Sequence, residues 1–138
     1  MTKPIQNLLV IDDDEIDQMM YARIIKRTGL VENTIQYHAA DDALDFITSG
    51  DCPAIDAIIL DINMPRMDGF EFLDALGEHA DGTSIQAVIV MLTTSLDPDD
   101  EAKARRSPLV KEFFYKPLIE DHLRTITQMV AGQQGGRS

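Results

Sequence analysis

The chain has 138 residues, 44% of them hydrophobic and 26% charged. That is enough for one globular domain to bury a core without disulfide or metal staples. The 24 acidic residues against 12 basic ones give a net charge of −12, which opposes binding to nucleic acid and to anionic membranes; the densest basic cluster, Lys103, Arg105 and Arg106, sits among acids.

The single cysteine, Cys52, builds no intramolecular disulfide, so a cytoplasmic location is expected. No apolar stretch near Met1 is long enough for a signal-peptide core. The longest apolar run, Ala87 to Leu92, is too short to span a bilayer.

Short apolar runs alternate with helix-like stretches. Leu8-Leu9-Val10-Ile11 reads as a strand buried on both faces. Asp14 offers an N-cap to a first helix, with Glu15 and Asp17 in its first turn. Ile16, Met20 and Ile24 form its apolar stripe, Lys26 and Arg27 lie in its last turn, and Gly29 stops it. Met19, Met20 and Met129 read as core. A more polar second strand spans Asn33 to His38, and a short helix spans Asp41 to Thr48.

The third strand is read over Ile55 to Leu60, running into Asp61. The loop Asn63 to Asp68 leads to a helix carrying Phe70, Leu73 and Leu76. Ala87 to Leu92 is the fourth strand, ending at Thr93. The helix Asp97 to Arg106 has only Ala102 and Ala104 as apolar members, so its core-facing stripe is thin. Val110 to Tyr115 is the fifth strand, ending at Lys116-Pro117. The last helix carries Ile119, Leu123, Ile126 and Met129 at helical spacing. The domain is placed at residues 1–131, and residues 132–138, rich in Gly and Gln, are expected to be a disordered tail. Five β–α units in a row predict an α/β fold: a doubly wound five-stranded parallel sheet with helices on both faces.

In such sheets the ligand site lies at the carboxyl ends of the strands. Those ends carry Asp12-Asp13-Asp14, then Asp61, then Thr93-Thr94, then Lys116. Clustered carboxylates repel one another and call for a neutralising cation. Mg²⁺ fits, because it takes a few carboxylates and keeps several waters. Asp13 and Asp61 are expected as direct ligands, with Asp12 holding a metal-bound water. A carboxylate can also attack phosphorus to give an aspartyl phosphate. Lys116 would then offset charge on the transferring group, and Thr93 could donate to one of its oxygens.

Four segments together resemble the receiver domain of two-component response regulators, single-domain members of the chemotaxis-regulator type in particular. They are Val10-Ile11-Asp12-Asp13; Leu60-Asp61-Ile62-Asn63-Met64-Pro65-Arg66-Met67-Asp68-Gly69; Met91-Leu92-Thr93-Thr94; and Phe113-Phe114-Tyr115-Lys116-Pro117. The resemblance implies a flavodoxin-like sheet of order 2-1-3-4-5. It implies Asp61 as phospho-acceptor, and Asp12, Asp13, Asp61 and the Asn63 backbone carbonyl as Mg²⁺ ligands. Thr93 would be the switch hydroxyl and Phe113 the switch aromatic. Lys116 would pair with the phosphate and precede a cis proline. Asn63 and Ser95 would tune the lifetime of the phosphorylated state. Two departures stand out: Thr94 replaces a common alanine, and Ser107-Pro108-Leu109 replaces the usual small Gly-Ala pair before the fifth strand.

The resemblance implies a histidine kinase or phosphotransfer protein upstream and an unnamed protein target downstream, with neither nucleic acid nor membrane as partner. A stand-alone receiver is expected, non-enzymatic beyond self-phosphorylation from a phosphodonor and slow self-dephosphorylation. It would signal by phosphorylation-dependent protein binding, or serve as a phosphate sink without a target. A Mg²⁺-dependent phosphatase of the haloacid dehalogenase type is the rival reading. Such enzymes place a general-acid Asp two residues beyond the nucleophile, whereas Asp61-Ile62-Asn63 stands here. A pseudo-receiver that never takes phosphate is disfavoured by the intact acidic set. His38, His79 and His122 fall in unrelated segments and read as structural or surface residues.

Overall fold

A computed structural model describes residues 3–80 and 86–135. Five parallel strands, numbered in chain order, form one sheet in the order 2-1-3-4-5. They are β1 (Ile5–Ile11), β2 (Val31–Tyr37), β3 (Ala57–Leu60), β4 (Val88–Thr93) and β5 (Val110–Tyr115). Each strand is followed by a helix: α1 (Glu15–Thr28), α2 (Ala40–Ile47), α3 (Gly69–Ala80), α4 (Pro98–Arg106) and α5 (Glu120–Gly135).

Successive strand side chains point to opposite faces, and two apolar layers result. Leu8, Val10, Ala57, Ile59, Val90 and Leu92 pack with Tyr21 and Ile25 of α1 and Leu123 and Ile126 of α5. Leu9, Ile11, Ile58, Leu60, Ile89 and Met91 pack with Ala43 of α2, Phe72 and Leu76 of α3 and Ala104 of α4. Both faces of β1, β3 and β4 are therefore closed, which is why those strands read as unbroken apolar runs. β2 is an edge strand with mostly exposed or half-buried side chains, which accounts for its polar sequence.

The start and stop of α1 follow the sequence. Asp14 Oδ1 accepts from the Asp17 amide at 2.9 Å, and Gly29 ends the helix in the left-handed region at φ 69°. The inner face of α1 departs from expectation: Gln18, Tyr21 and Ile25 are buried, while Ile16, Met19 and Met20 are 69%, 56% and 52% exposed. Met19 and Met20 are thus surface residues, and only Ile24 of the expected stripe touches the core. The cause is Gln18. Its Nε2 lies 3.3, 3.0 and 2.9 Å from the carbonyls of Val10, Asp12 and Tyr37. Its Oε1 accepts from Gln36 Nε2 at 2.9 Å. A carbonyl oxygen can accept a second bond; Gln18 supplies it at three strand ends, and that placement turns the methionines outward. Met129 is half-buried against the α1/α5 layer.

α5 continues to Gly135, past residue 131 where the domain was expected to end. Gln133 Nε2 donates to the Gln86 carbonyl at 2.5 Å, which ties this last turn to the segment before β4. The rest of the expected tail, residues 136–138, lies outside the described residues. Before β5, Ser107 closes α4, its carbonyl accepts from the Val110 amide and its hydroxyl from the Leu109 amide. The β4–β5 register then shifts at Ile89/Val90, so that Glu112 rather than Lys111 faces Val90. No helix among the described residues is long and apolar enough to cross a membrane.

Candidate functional site

The strand ends converge because neighbouring chains bond just beyond the ladder. The Asp61 amide donates to the Ile11 carbonyl at 3.0 Å, and the Lys116 amide donates to the Thr93 carbonyl at 2.9 Å. The first bond sets Asp61 beside Asp12, the second sets Lys116 beside Thr93. Asp12, Asp13 and Asp61 each bring a carboxylate oxygen within 4.8 Å of the others. The donors are all hard oxygens, so the set fits a divalent cation such as Mg²⁺. Asp12 and Asp61 are buried, whereas Asp13 is exposed. Asn63 is exposed in the loop after Asp61.

That loop is held tightly. Gly69 N–H donates to the Ile62 carbonyl at 2.8 Å. A Cβ on Gly69 would collide with the carbonyl oxygen of Asp61 itself, so no other residue fits without moving the candidate acceptor. Asp68 and Glu71 cap α3 reciprocally: the Asp68 amide donates to Glu71 Oε1 at 3.0 Å and the Glu71 amide to Asp68 Oδ1 at 2.8 Å. Arg66 sits at φ 69°, and its guanidinium grips Asp41 of α2 through two 2.9 Å bonds.

Lys116 is the electrostatic centre. Its Nζ lies 2.9 Å from Asp12 Oδ2, 2.9 Å from Asp17 Oδ2 and 3.3 Å from Asp61 Oδ2. Burial alone would lower its pKa; the hydrogen bonds to Asp17 and Asp12 and the charges of Asp61 and Asp12 outweigh that and raise it. The ammonium therefore stays charged. Asp61 moves the other way from a normal carboxylate. Burial, then the Asp12 charge, push it up to about 6, against the pull of Lys116 and of the Ile62 amide. Lys116–Pro117 is a cis peptide, as the resemblance implies.

Two groups in this site were not among the sequence candidates. Asp17 reads in sequence as a first-turn acid of α1, and Tyr21 is assigned no role. They stand four residues apart and so share one helix face. Tyr21 OH donates to Asp12 Oδ2 at 2.6 Å. Burial, then that hydrogen bond, raise the Tyr21 pKa, so it remains a neutral donor. The available signal was the spacing: Asp13, Asp17 and Tyr21 recur at intervals of four directly after the acidic strand end.

Thr93 is fully buried at the end of β4, and its Oγ1 accepts from the Ser95 amide at 3.1 Å. Phe113 lies apart from the carboxylates, 5% exposed in the layer under α3 and α4. Its ring meets the Tyr115 ring edge-on at 5.3 Å. Tyr115 OH donates to Glu101 Oε1 of α4 at 2.6 Å, Glu101 also accepts from Arg105, and Arg105 reaches Glu112 of β5. Thr94 is exposed and borders an open cleft of about 750 Å³ with Asp17, Met20, Tyr21 and Lys116. Of the three histidines, His38 and His79 are exposed, and His122 is half-buried and stacked on Phe114 at 4.2 Å.

The family profile described as "Response regulator receiver domain" matches residues 8–128. The chain belongs to the response regulator receiver domain family. A crystal structure of a two-component response regulator from Cytophaga hutchinsonii is 31% identical, with a TM-score of 0.83, covering 95% of this chain and 99% of that one. A two-component response regulator of Arabidopsis thaliana is 28% identical over 118 residues, 86% of this chain and 78% of that protein. A hybrid signal transduction histidine kinase of Dictyostelium discoideum is 28% identical over 126 residues. This receiver spans 91% of its own length in that match but only 7% of the kinase.

Proposed function

We propose that Asp61 accepts a phosphoryl group from the phosphohistidine of a histidine kinase or phosphotransfer protein in a Mg²⁺-dependent reaction in the cytoplasm. The resulting aspartyl phosphate changes which protein the surface binds. The observation that carries this reading is the buried Asp61 carboxylate, set between the Lys116 ammonium and the Asp12–Asp13 pair.

An oxygen of Asp61 attacks phosphorus while the bond from phosphorus to the donor imidazole breaks. The electron pair leaves with the imidazole nitrogen. Burial and the Asp12 charge raise the Asp61 pKa and Lys116 opposes them; the ionised carboxylate supplies the attacking lone pair. Asp12, Asp13, Asp61 and the Asn63 carbonyl would hold Mg²⁺, which when bound would supply positive charge against the transferring oxygens. Lys116 supplies the same from the protein side. Thr93 Oγ1, now bonded by the Ser95 amide, turns to donate to a phosphoryl oxygen, and Phe113 follows into the space released. Phe113 carries no hydroxyl, so its message passes by packing against Tyr115, and from Tyr115 to Glu101 on α4.

Intact-mass spectrometry after incubation with acetyl phosphate and Mg²⁺ tests the assignment. Wild type is expected to gain one phosphoryl group and Asp61→Asn none. An equal gain in Asp61→Asn would remove Asp61 from the role.

A further inference from the structure

We propose that Asp17 is a positioning residue for Lys116, holding one of its N–H donors in reserve until an anionic phosphodonor arrives. The inference deepens the reading of Asp61 as phospho-acceptor and rests on it.

An ammonium has three N–H donors, and Lys116 faces three carboxylates, those of Asp12, Asp17 and Asp61. The ammonium donates to Asp17 Oδ2 and Asp61 Oδ2 and is ion-paired with Asp12 Oδ2. A phosphoryl oxygen approaching Asp61 competes with these carboxylates for Lys116. Asp12 is poorly placed to give way. It is 1% exposed, Tyr21 OH donates to the same Oδ2, and the Asp14 amide holds its Oδ1 at 2.9 Å. Asp61 is the reacting group itself. Asp17 is left: its side chain is 30% exposed against 2% for Asp12 and 7% for Asp61, so water can replace the ammonium there at small cost. The Asp17 amide is bonded to Asp14 Oδ1, which fixes the backbone while the carboxylate swings.

Asp17 therefore acts in opposite senses at two stages. At rest it keeps the ammonium extended between α1 and Asp61. During loading it competes with the donor for the same N–H and adds a negative charge that repels it. Removing the charge should tighten the encounter with an anionic donor more than it changes the step that follows.

The test is the initial rate of phosphorylation by acetyl phosphate at fixed Mg²⁺, read by intact mass. The Asp61–phosphorus bond forms, the phosphorus–oxygen bond to acetate breaks, and acetate leaves with the electron pair. Asp17→Asn is expected to lower the half-saturating acetyl phosphate concentration about fivefold, with a smaller change in plateau rate. Asp17→Glu keeps the charge and should stay within about twofold of wild type. In a Lys116→Gln background the Asn substitution should lose most of its effect. Unchanged half-saturation in Asp17→Asn overturns the proposal, as does a fall equally large without Lys116. A drop in plateau rate and unfolding midpoint in both Asp17 variants would mark a structural residue and also overturn it. If wild type itself gains no phosphoryl group, or Asp61→Asn gains as much, the acceptor reading fails first, and the wild-type control shows which has failed.

Discussion

Helices α1 and α4 flank the site from opposite faces of the sheet, and they are attached in different ways. α1 is keyed in by Gln18, which reaches three strand-end carbonyls, by Tyr21 on Asp12 and by the apolar Ile25. α4 has one buried residue, Ala104; its other contacts include the polar pairs Tyr115–Glu101, Arg105–Glu112 and Ser95–Asp100 and Lys103 over the Phe70 ring. Buried hydrogen bonds cost much to break, and exposed ion pairs contribute little. The side that sets up the chemistry is thus the rigid one. The side joined to Thr93 and Phe113 is cheap to displace, which suits the proposed change of binding surface.

The largest effect that would break this contrast is at Gln18. Gln18→Leu preserves size but strips donors from buried carbonyls, and should cost about 2–3 kcal/mol in urea unfolding. A loss under about 0.5 kcal/mol would show that α1 is no more deeply anchored than a surface helix. Hydrogen exchange sharpens the other half. Amides of α4 should exchange well before those of α1, and Tyr115→Phe should speed α4 further while leaving phosphoryl uptake on Asp61 unchanged. Similar protection in the two helices would remove the basis for calling α4 the mobile side.

The smallest expected effect concerns α5. His122 Nδ1 accepts from the Ile119 amide at 3.2 Å, which requires an unprotonated nitrogen, and burial lowers its pKa below the usual 6.5. Its folded pKa is therefore below its unfolded one. The unfolded chain binds the proton more readily, so stability is full above about pH 6.5 and falls as the pH drops from there toward the folded value. Asp61, raised to about 6, acts in the opposite sense in both proteins, so the His122 contribution is read as a difference: the thermal midpoint of wild type minus that of His122→Gln should fall as the pH drops through that window. An identical profile in the variant would place the dependence elsewhere.

Much of the site was legible because its residues sit where strands stop, and buried strands announce their ends. Asp12, Asp61, Thr93 and Lys116 each follow an apolar run, and parallel topology brings such ends together. The helix signals at Asp14 and Gly29 were equally local. The orientation of α1 was not legible, because hydropathy favours Met20 over Gln18 as a core residue. What decides it is the set of carbonyls at the ends of β1 and β2 that Gln18 reaches, which no helical periodicity records. Asp17 and Tyr21 escaped for the same reason. Their partners are 99 residues away at Lys116 and 9 away at Asp12, and only the folded edge shows that one helix face meets both. The last turn of α5 was hidden by its Gly and Gln content, which argues against a helix until Gln133 finds Gln86.

Gly69 has a consequence for how this protein can be altered. A side chain there would strike the backbone of the very residue proposed to carry the phosphoryl group. A variant bearing alanine at this position could fold by retracting the loop, but only by dragging Asp61 with it. Folding and loading would then separate: a protein normal by circular dichroism yet slow to take label. Such a separation is uncommon for a glycine, whose replacement more often harms a turn than a reaction. In a library screened only for soluble expression, position 69 would pass as tolerant.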